Sequence, residues 1–192
     1  MLNADSSILL WINGHYAAWL DEVMWIVSDA KTWIPLYAVL VGLIAYQYRS
    51  WKTVLVILIG FGIAVGLSDW ICSGVLKPLV GRLRPTHEPG IDPLHLVHGY
   101  VGGKYGFCSS HAANSMAVAL LFSLIYRKKT ATVCLMTWVA VVCYSRMYLG
   151  VHYPTDIVAG LLIGALSVVP VYFLLLRWWH LGGVSDSQRG GS

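Results

Sequence analysis

The sequence predicts an all-α, polytopic transmembrane helical bundle of five to six spans, with an N-terminal interfacial helix and an active-site loop on its outer face. Three observations carry this. Of 192 residues, 57% are apolar and only 11% are charged, against roughly 25% charge in an average soluble domain. The mean hydropathy is +0.66. Nine Trp and eleven Tyr suit the aromatic belts at membrane interfaces. Since each span consumes about 20 residues, the length allows no more than six.

Taken in order, Ser6 to Ser28 is interrupted by Asn13, Gly14 and His15, and carries Asp21 and Glu22. Acids are costly in hydrocarbon, so an interfacial amphipathic helix is preferred there over a sixth span. Trp33 to Tyr48 is apolar except for Gln47 and reads as the first span; Thr53 to Val75, with one acid at Asp69, reads as the second. Ser109 to Tyr126 is the third, Thr130 to Tyr144 the fourth with a possible extension to Tyr148, and Asp156 to Trp179 the fifth. Asp69 is expected to partner an outer-face cation or hydroxyl. The N-terminus shows no basic region followed by a cleavage site, so insertion is expected to rely on an uncleaved span. Residues 1–184 read as one membrane-embedded domain, and the polar, Gly-rich 185–192 as a tail, native or appended.

Charge placement sets the orientation. Arg49, Lys52, Arg127, Lys128, Lys129, Arg177 and Arg189 share one face in a five-span chain, which the positive-inside rule makes cytoplasmic. Every acid except Asp186 falls on the other face. The net charge of +4 without a basic stripe excludes a nucleic-acid partner. The four cysteines form no CxxC pair, and neither a disulfide nor a zinc site is assigned.

The outer loop from Lys77 to Phe107 is the only one large enough to build a site. Its prolines and glycines predict mostly irregular chain. His87, His95 and His98 lack metal-ligand spacing and read as solvent- or headgroup-facing residues. The chemistry lies elsewhere, where charge is kept close to the bilayer. Lys77 and Arg84 are seven apart, two helical turns, which on a helix aims both to one side and selects an anion. Ser109, Ser110 and His111 open the third span, and a helix N-terminus binds phosphate. Arg146 and His152 flank a turn at Gly150, and Asp156 follows His152 by four residues. A carboxylate at that offset can fix one imidazole nitrogen and leave the other as nucleophile or base.

Lysine, six residues and Arg-Pro, then Ser-x-His at a helix start, then Ser-Arg, five residues, His, three residues and Asp: this order resembles the type 2 phosphatidic acid phosphatase (PAP2) family across 77–156. One position departs, since the chain reads Cys108-Ser109-Ser110-His111 where the family usually has Pro-Ser-Gly-His. The resemblance implies a catalytic set of His152, His111 and Asp156. His152 would be the phosphohistidine nucleophile, Asp156 its orienting carboxylate and His111 the acid and base. It also implies a phosphate-binding set of Lys77, Arg84, Ser109, Ser110 and Arg146, with no metal and no cofactor, because three fixed cations can neutralise a transferring phosphoryl group.

The substrate so implied is a lipid phosphate or pyrophosphate met at the periplasmic face of a bacterial inner membrane, the bilayer itself being the other partner. Undecaprenyl pyrophosphate ranks first, ahead of phosphatidylglycerol phosphate and lipid A phosphate, because a compact outward-facing phosphatase suits recycling of that carrier. A non-catalytic lipid-phosphate binder or transporter would need Lys77, Arg84 and Arg146 but neither His111 nor the His152–Asp156 pair. A channel would need polar residues along its spans, which apart from Asp69 offer almost none.

Overall fold

The computed structural model describes residues 4–91 and 93–180; the tail at 185–192 and Arg189 lie outside them. Among these residues the α-helices are α1 Ala4–Gly14, α2 Ala18–Ser28, α3 Ile34–Tyr48, α4 Trp51–Asp69, α5 Lys77–Val80, α6 Ser110–Tyr126, α7 Lys129–Tyr148 and α8 Pro154–Trp178. Among the described residues there is no strand beyond an isolated antiparallel bridge between Leu83 and Tyr105.

The segment read as one interfacial helix is two. At 11 residues each, α1 and α2 rise about 16 Å, far short of the ~30 Å hydrocarbon core. The polar groups that interrupt the segment fasten the outer loop instead. Asn13 donates to the carbonyls of His95 and Tyr148 at 2.9 and 2.7 Å and accepts from the His95 amide at 2.8 Å. Asp21 takes the Tyr148 hydroxyl at 2.5 Å and His95 Nε2 at 2.9 Å. Glu22 meets His98 at 3.2 Å. His95 and His98 are therefore docking residues, while His87 is exposed.

Among the described residues three helices are long and apolar enough to cross a membrane: Trp51–Val80, Lys129–Tyr148 and Pro154–Trp178. A fourth crossing arises if α2 and Ala30–Tyr48, bent by 71° against each other, count as one; α6, at 17 residues, is shorter. In Trp51–Val80, α4 passes through a π-helical stretch, Trp70–Leu76, into α5. Lys77 thus belongs to the end of a spanning helix rather than to the loop.

Helix α6 is the centre of the bundle, packed against α8, α7 and α4. The buried face of its first half is small, Ala112, Ala113, Ser115, Ala117 and Ala119, before Leu121, Phe122 and Ile125 follow. Gly160 and Gly164 of α8 lie against it, and a Cβ on either would stand 2.5 Å from the Ser109 carbonyl or 2.2 Å from that of Ala113. This is the small-residue packing that lets helices approach closely without a hydrophobic driving force between them. It sets the phosphate-motif helix directly on the helix that carries Asp156.

The expectation of no disulfide is corrected. Cys72 and Cys108 form a disulfide with Cα atoms 5.4 Å apart. No sequence spacing signals it, because the pairing arises only when the outer loop folds back on the end of the second span. Cys134 and Cys143 remain free thiols.

Candidate active site

The first motif is not one helix. Gly81, at φ 62°, ends α5 in the left-handed region, which glycine enters without a Cβ penalty. The chain beyond is extended: Arg84 N donates to the Lys104 carbonyl at 3.0 Å and Gly106 N to that of Arg82 at 2.9 Å. Lys77 and Arg84 therefore reach the site from a helix end and an extended segment, not from two turns of a common face. Gly102 suits this place, since its φ of 65° strains other residues and a Cβ there would lie 2.5 Å from Arg84 Nη1 and displace it. The Arg84 side chain is buried and donates from Nε to the Tyr105 carbonyl at 3.2 Å, while Nη1 has no hydrogen-bond partner among the described residues.

The second motif opens α6. Ser110 Oγ accepts from Lys77 Nζ at 2.9 Å and meets Ser73 Oγ at 2.8 Å. Ser109 is buried, its hydroxyl without a hydrogen-bond partner among the described residues and its amide donating to the Asp156 carbonyl at 3.0 Å. The starts of α6 and α8 are thereby joined. His111, one residue on, lines an apolar cavity of about 530 Å³ bounded by the end of α2 and by α3, α4, α6 and α7.

The third motif spans the α7–α8 corner. Arg146 lies in the last turn of α7, buried, with Nη1 on the Ser28 hydroxyl. Gly150, at φ 68°, turns the chain, and Pro154 starts α8. His152 and Asp156 are 1% and 0% exposed. His152 Nδ1 faces Asp156 Oδ2 at 3.5 Å, longer than a full hydrogen bond. Oδ2 also accepts the Tyr153 amide at 3.0 Å, within the N-terminal turn of α8, where a carboxylate is favoured by the helix dipole.

The electrostatics are those of an anion site. Burial pushes the His152 imidazole well below its usual pKa, and Arg84, Arg146 and Lys77 push it further the same way, so the ring is neutral at pH 7. Burial likewise lowers the Arg84 guanidinium, reinforced by the Arg146 charge. Three cations therefore converge on one neutral imidazole, each close enough to act on it. Such a set can bind a phosphoryl group through its oxygens while presenting a nitrogen lone pair to the phosphorus.

Arg82 and Asp5 are absent from the sequence-derived set. Arg82 Nη1 donates to Asp156 Oδ1 at 3.0 Å and to Thr155 Oγ1 at 2.6 Å, and Nη2 to Asp5 Oδ2 at 2.5 Å. Its guanidinium lies 3.9 Å from the centroid of the Tyr153 ring. Asp5 in turn accepts the Thr155 amide and hydroxyl at 3.0 and 2.5 Å. Burial alone would raise the Asp5 carboxyl, but hydrogen bonds from Thr155 and Arg82 outweigh it and hold it below the usual range. The only sequence signal was an unassigned arginine two positions before the motif's Arg84.

A membrane-embedded helical bundle with three cations acting on a buried His–Asp pair describes a phosphoryl-transfer enzyme of the lipid bilayer. A family model of the PAP2 superfamily matches residues 55–180. The lipid A 4'-phosphatase of Bacteroides thetaiotaomicron is 34% identical over 172 residues, covering 88% of this chain and 76% of that one. The lipid A 4'-phosphatase of Porphyromonas gingivalis is 35% identical over 183 residues, covering 93% and 77%. The crystal structure of a transmembrane PAP2-type phosphatidylglycerolphosphate phosphatase from Bacillus subtilis superposes with a TM-score of 0.63 at 24% identity, covering 91% of this chain and 85% of that one. The chain belongs to the PAP2 superfamily and is a membrane phosphatase of it.

Proposed function

We propose that the protein hydrolyses the phosphate of a lipid at the outer surface of a bacterial inner membrane, through a phosphohistidine intermediate. The observation that carries the lipid part is the cavity. It is lined by apolar residues such as Leu40, Ile44, Phe61 and Val118 between helices, and ends at Ser110 and His111. A pocket of this size suits an anchored ligand, and a tail held there brings its phosphate to the helix start.

In the proposed reaction, His152 Nε2 attacks the phosphorus in line, the P–O bond to the lipid breaks, and His111 donates a proton to the departing oxygen. Water then attacks the phosphorus of the phosphohistidine as His111 takes its proton, the P–N bond breaks, and inorganic phosphate leaves. Lys77, Arg84 and Arg146 hold the equatorial oxygens, joined by Ser109 and a backbone N–H near Ser110, and Asp156 stabilises the charged ring. Because the charge is supplied by fixed side chains, turnover is expected to persist in EDTA.

Five crossings, α3, α4 with α5, α6, α7 and α8, fit this reading. They leave Arg49, Lys52, Arg127, Lys128, Lys129 and Arg177 at the helix ends away from the motifs, as a cytoplasmic face requires. Among substrates, the similarity to two lipid A 4'-phosphatases weighs toward a phosphorylated glycolipid over undecaprenyl pyrophosphate. The deciding experiment is phosphate release by purified protein from lipid A and from undecaprenyl diphosphate. We expect His152→Ala to lower it by at least about 10³-fold and vanadate, a mimic of five-coordinate phosphorus, to inhibit the native protein. Unchanged release by His152→Ala overturns the covalent mechanism.

A further inference from the structure

The inner part of the cavity is apolar, but its outer end carries a carboxylate. Asp69 lines it beside Ser110, His111 and Asn114. It is half-buried and accepts two long bonds, from Ser73 and Asn114, each 3.4 Å and each on Oδ1; among the described residues no hydrogen bond occupies Oδ2. Ser73 in turn contacts Ser110 Oγ and Lys77 Nζ at 2.8 and 3.3 Å. The acid thus stands two contacts from groups placed to hold the phosphate. Asn114 Oδ1 is taken by the Ser68 hydroxyl at 2.6 Å, which aims the amide nitrogen toward Asp69 and the cavity.

A carboxylate beside a bound phosphate repels it, and that repulsion is strengthened where water is excluded. The arrangement becomes favourable when the ligand places a hydrogen-bond donor between the two. Any ligand with its phosphate at Lys77 and Ser110 and its tail in the cavity must pass this point. We propose that Asp69 and Asn114 form a headgroup subsite. It selects phosphomonoesters whose adjoining group carries hydroxyl or amide donors, such as a phosphorylated amino sugar, and disfavours lipid diphosphates. A diphosphate would put its second phosphate, an anion with acceptors only, against Asp69. Selection of this kind combines an attractive contact for one ligand with a repulsive one for its competitor, and a site built around a donor strongly rejects ligands that lack it.

The proposal rests on the lipid-phosphatase reading and sharpens its substrate class. It is tested by kcat/KM of native protein, Asp69→Ala and Asp69→Asn on three lipids: lipid A, undecaprenyl monophosphate and undecaprenyl diphosphate. The monophosphate lacks both donors and a second phosphate, so it normalises general damage to the site. In Asp69→Ala the lipid A to monophosphate ratio is expected to fall at least tenfold, and the diphosphate to monophosphate ratio to rise severalfold. Asp69→Asn keeps the shape and an acceptor, so it should raise the diphosphate ratio comparably while losing less of the lipid A ratio. If Asp69 serves only to hold Ser73 and Lys77, all three lipids fall together; unchanged ratios in both variants overturn the subsite. Native protein that releases phosphate from none of the three overturns the lipid-phosphatase reading itself.

Discussion

Asp156 is held through both its oxygens, and the two holds differ in kind. Tyr153 N and His152 Nδ1 lie on Oδ2, within one helical turn of the carboxylate; Arg82, from an extended segment far away in the chain, takes Oδ1. The local pair was legible in the sequence, because an i, i+4 spacing across a proline-started helix puts a carboxylate beside an imidazole. Arg82 was not, because its partners lie more than seventy residues away on either side and meet only through folding. It acts as a positioning residue: its guanidinium bridges Asp5, Thr155 and Asp156 while stacking on Tyr153. Arg82→Gln is expected to lower kcat roughly 10- to 100-fold, the usual range for an outer-shell partner, with KM little changed. Arg82→Lys should rescue little, since a single ammonium cannot reproduce the planar fork. A parallel rise in KM would instead assign Arg82 to substrate binding.

At the scale of elements, the site depends on how closely two helices approach. Gly160 and Gly164 form a G-x-x-x-G step on α8, and the backbone facing it is that of Ser109 and Ala113, the start of the phosphate-motif helix. Gly164→Ala must move one helix away from the other, an overpacking cost of about 1–3 kcal/mol. It should appear as a lowered Tm in detergent together with lost activity. Gly66→Ala on α4, where a Cβ would meet nothing within 4 Å, is the matched control and should leave Tm unchanged or slightly raised, since alanine is the better helix former. The Cys72–Cys108 bond closes a separation of 36 residues and ties the returning loop to the end of the second span next to Ser109. Cross-linking a loop of this length contributes about 4 kcal/mol in the chain-entropy picture. Reductant should therefore lower the Tm of the native protein by several degrees and have no effect on Cys72→Ser. An equal response in that variant would show that the bond carries no stability.

Across the whole molecule, the N-terminal helices are part of the site rather than a separate anchor. Through Asp5, α1 reaches the first turn of α8; through Ser28, α2 reaches Arg146. The proposed five-span topology would place the Arg127–Lys129 turn in the cytoplasm. A cysteine at Lys128, in a background lacking Cys134 and Cys143, should be labelled by a membrane-impermeant thiol reagent only after the membrane is opened; labelling from outside would invert the substrate argument. Composition and periodicity determined by themselves that the chain is a helical membrane protein, because apolar runs of span length have few other uses. The order and spacing of three short motifs determined its family, because those residues sit within a turn or two of one another along the chain. Only the tertiary structure decided that the N-terminal segment is two docking helices, that Cys72 bonds Cys108, that Lys77 and Arg84 come from different elements, and that Arg82 holds Asp156. Each of these is a contact between segments distant in sequence, and spacing along a chain carries no information about which distant groups its folding will bring together.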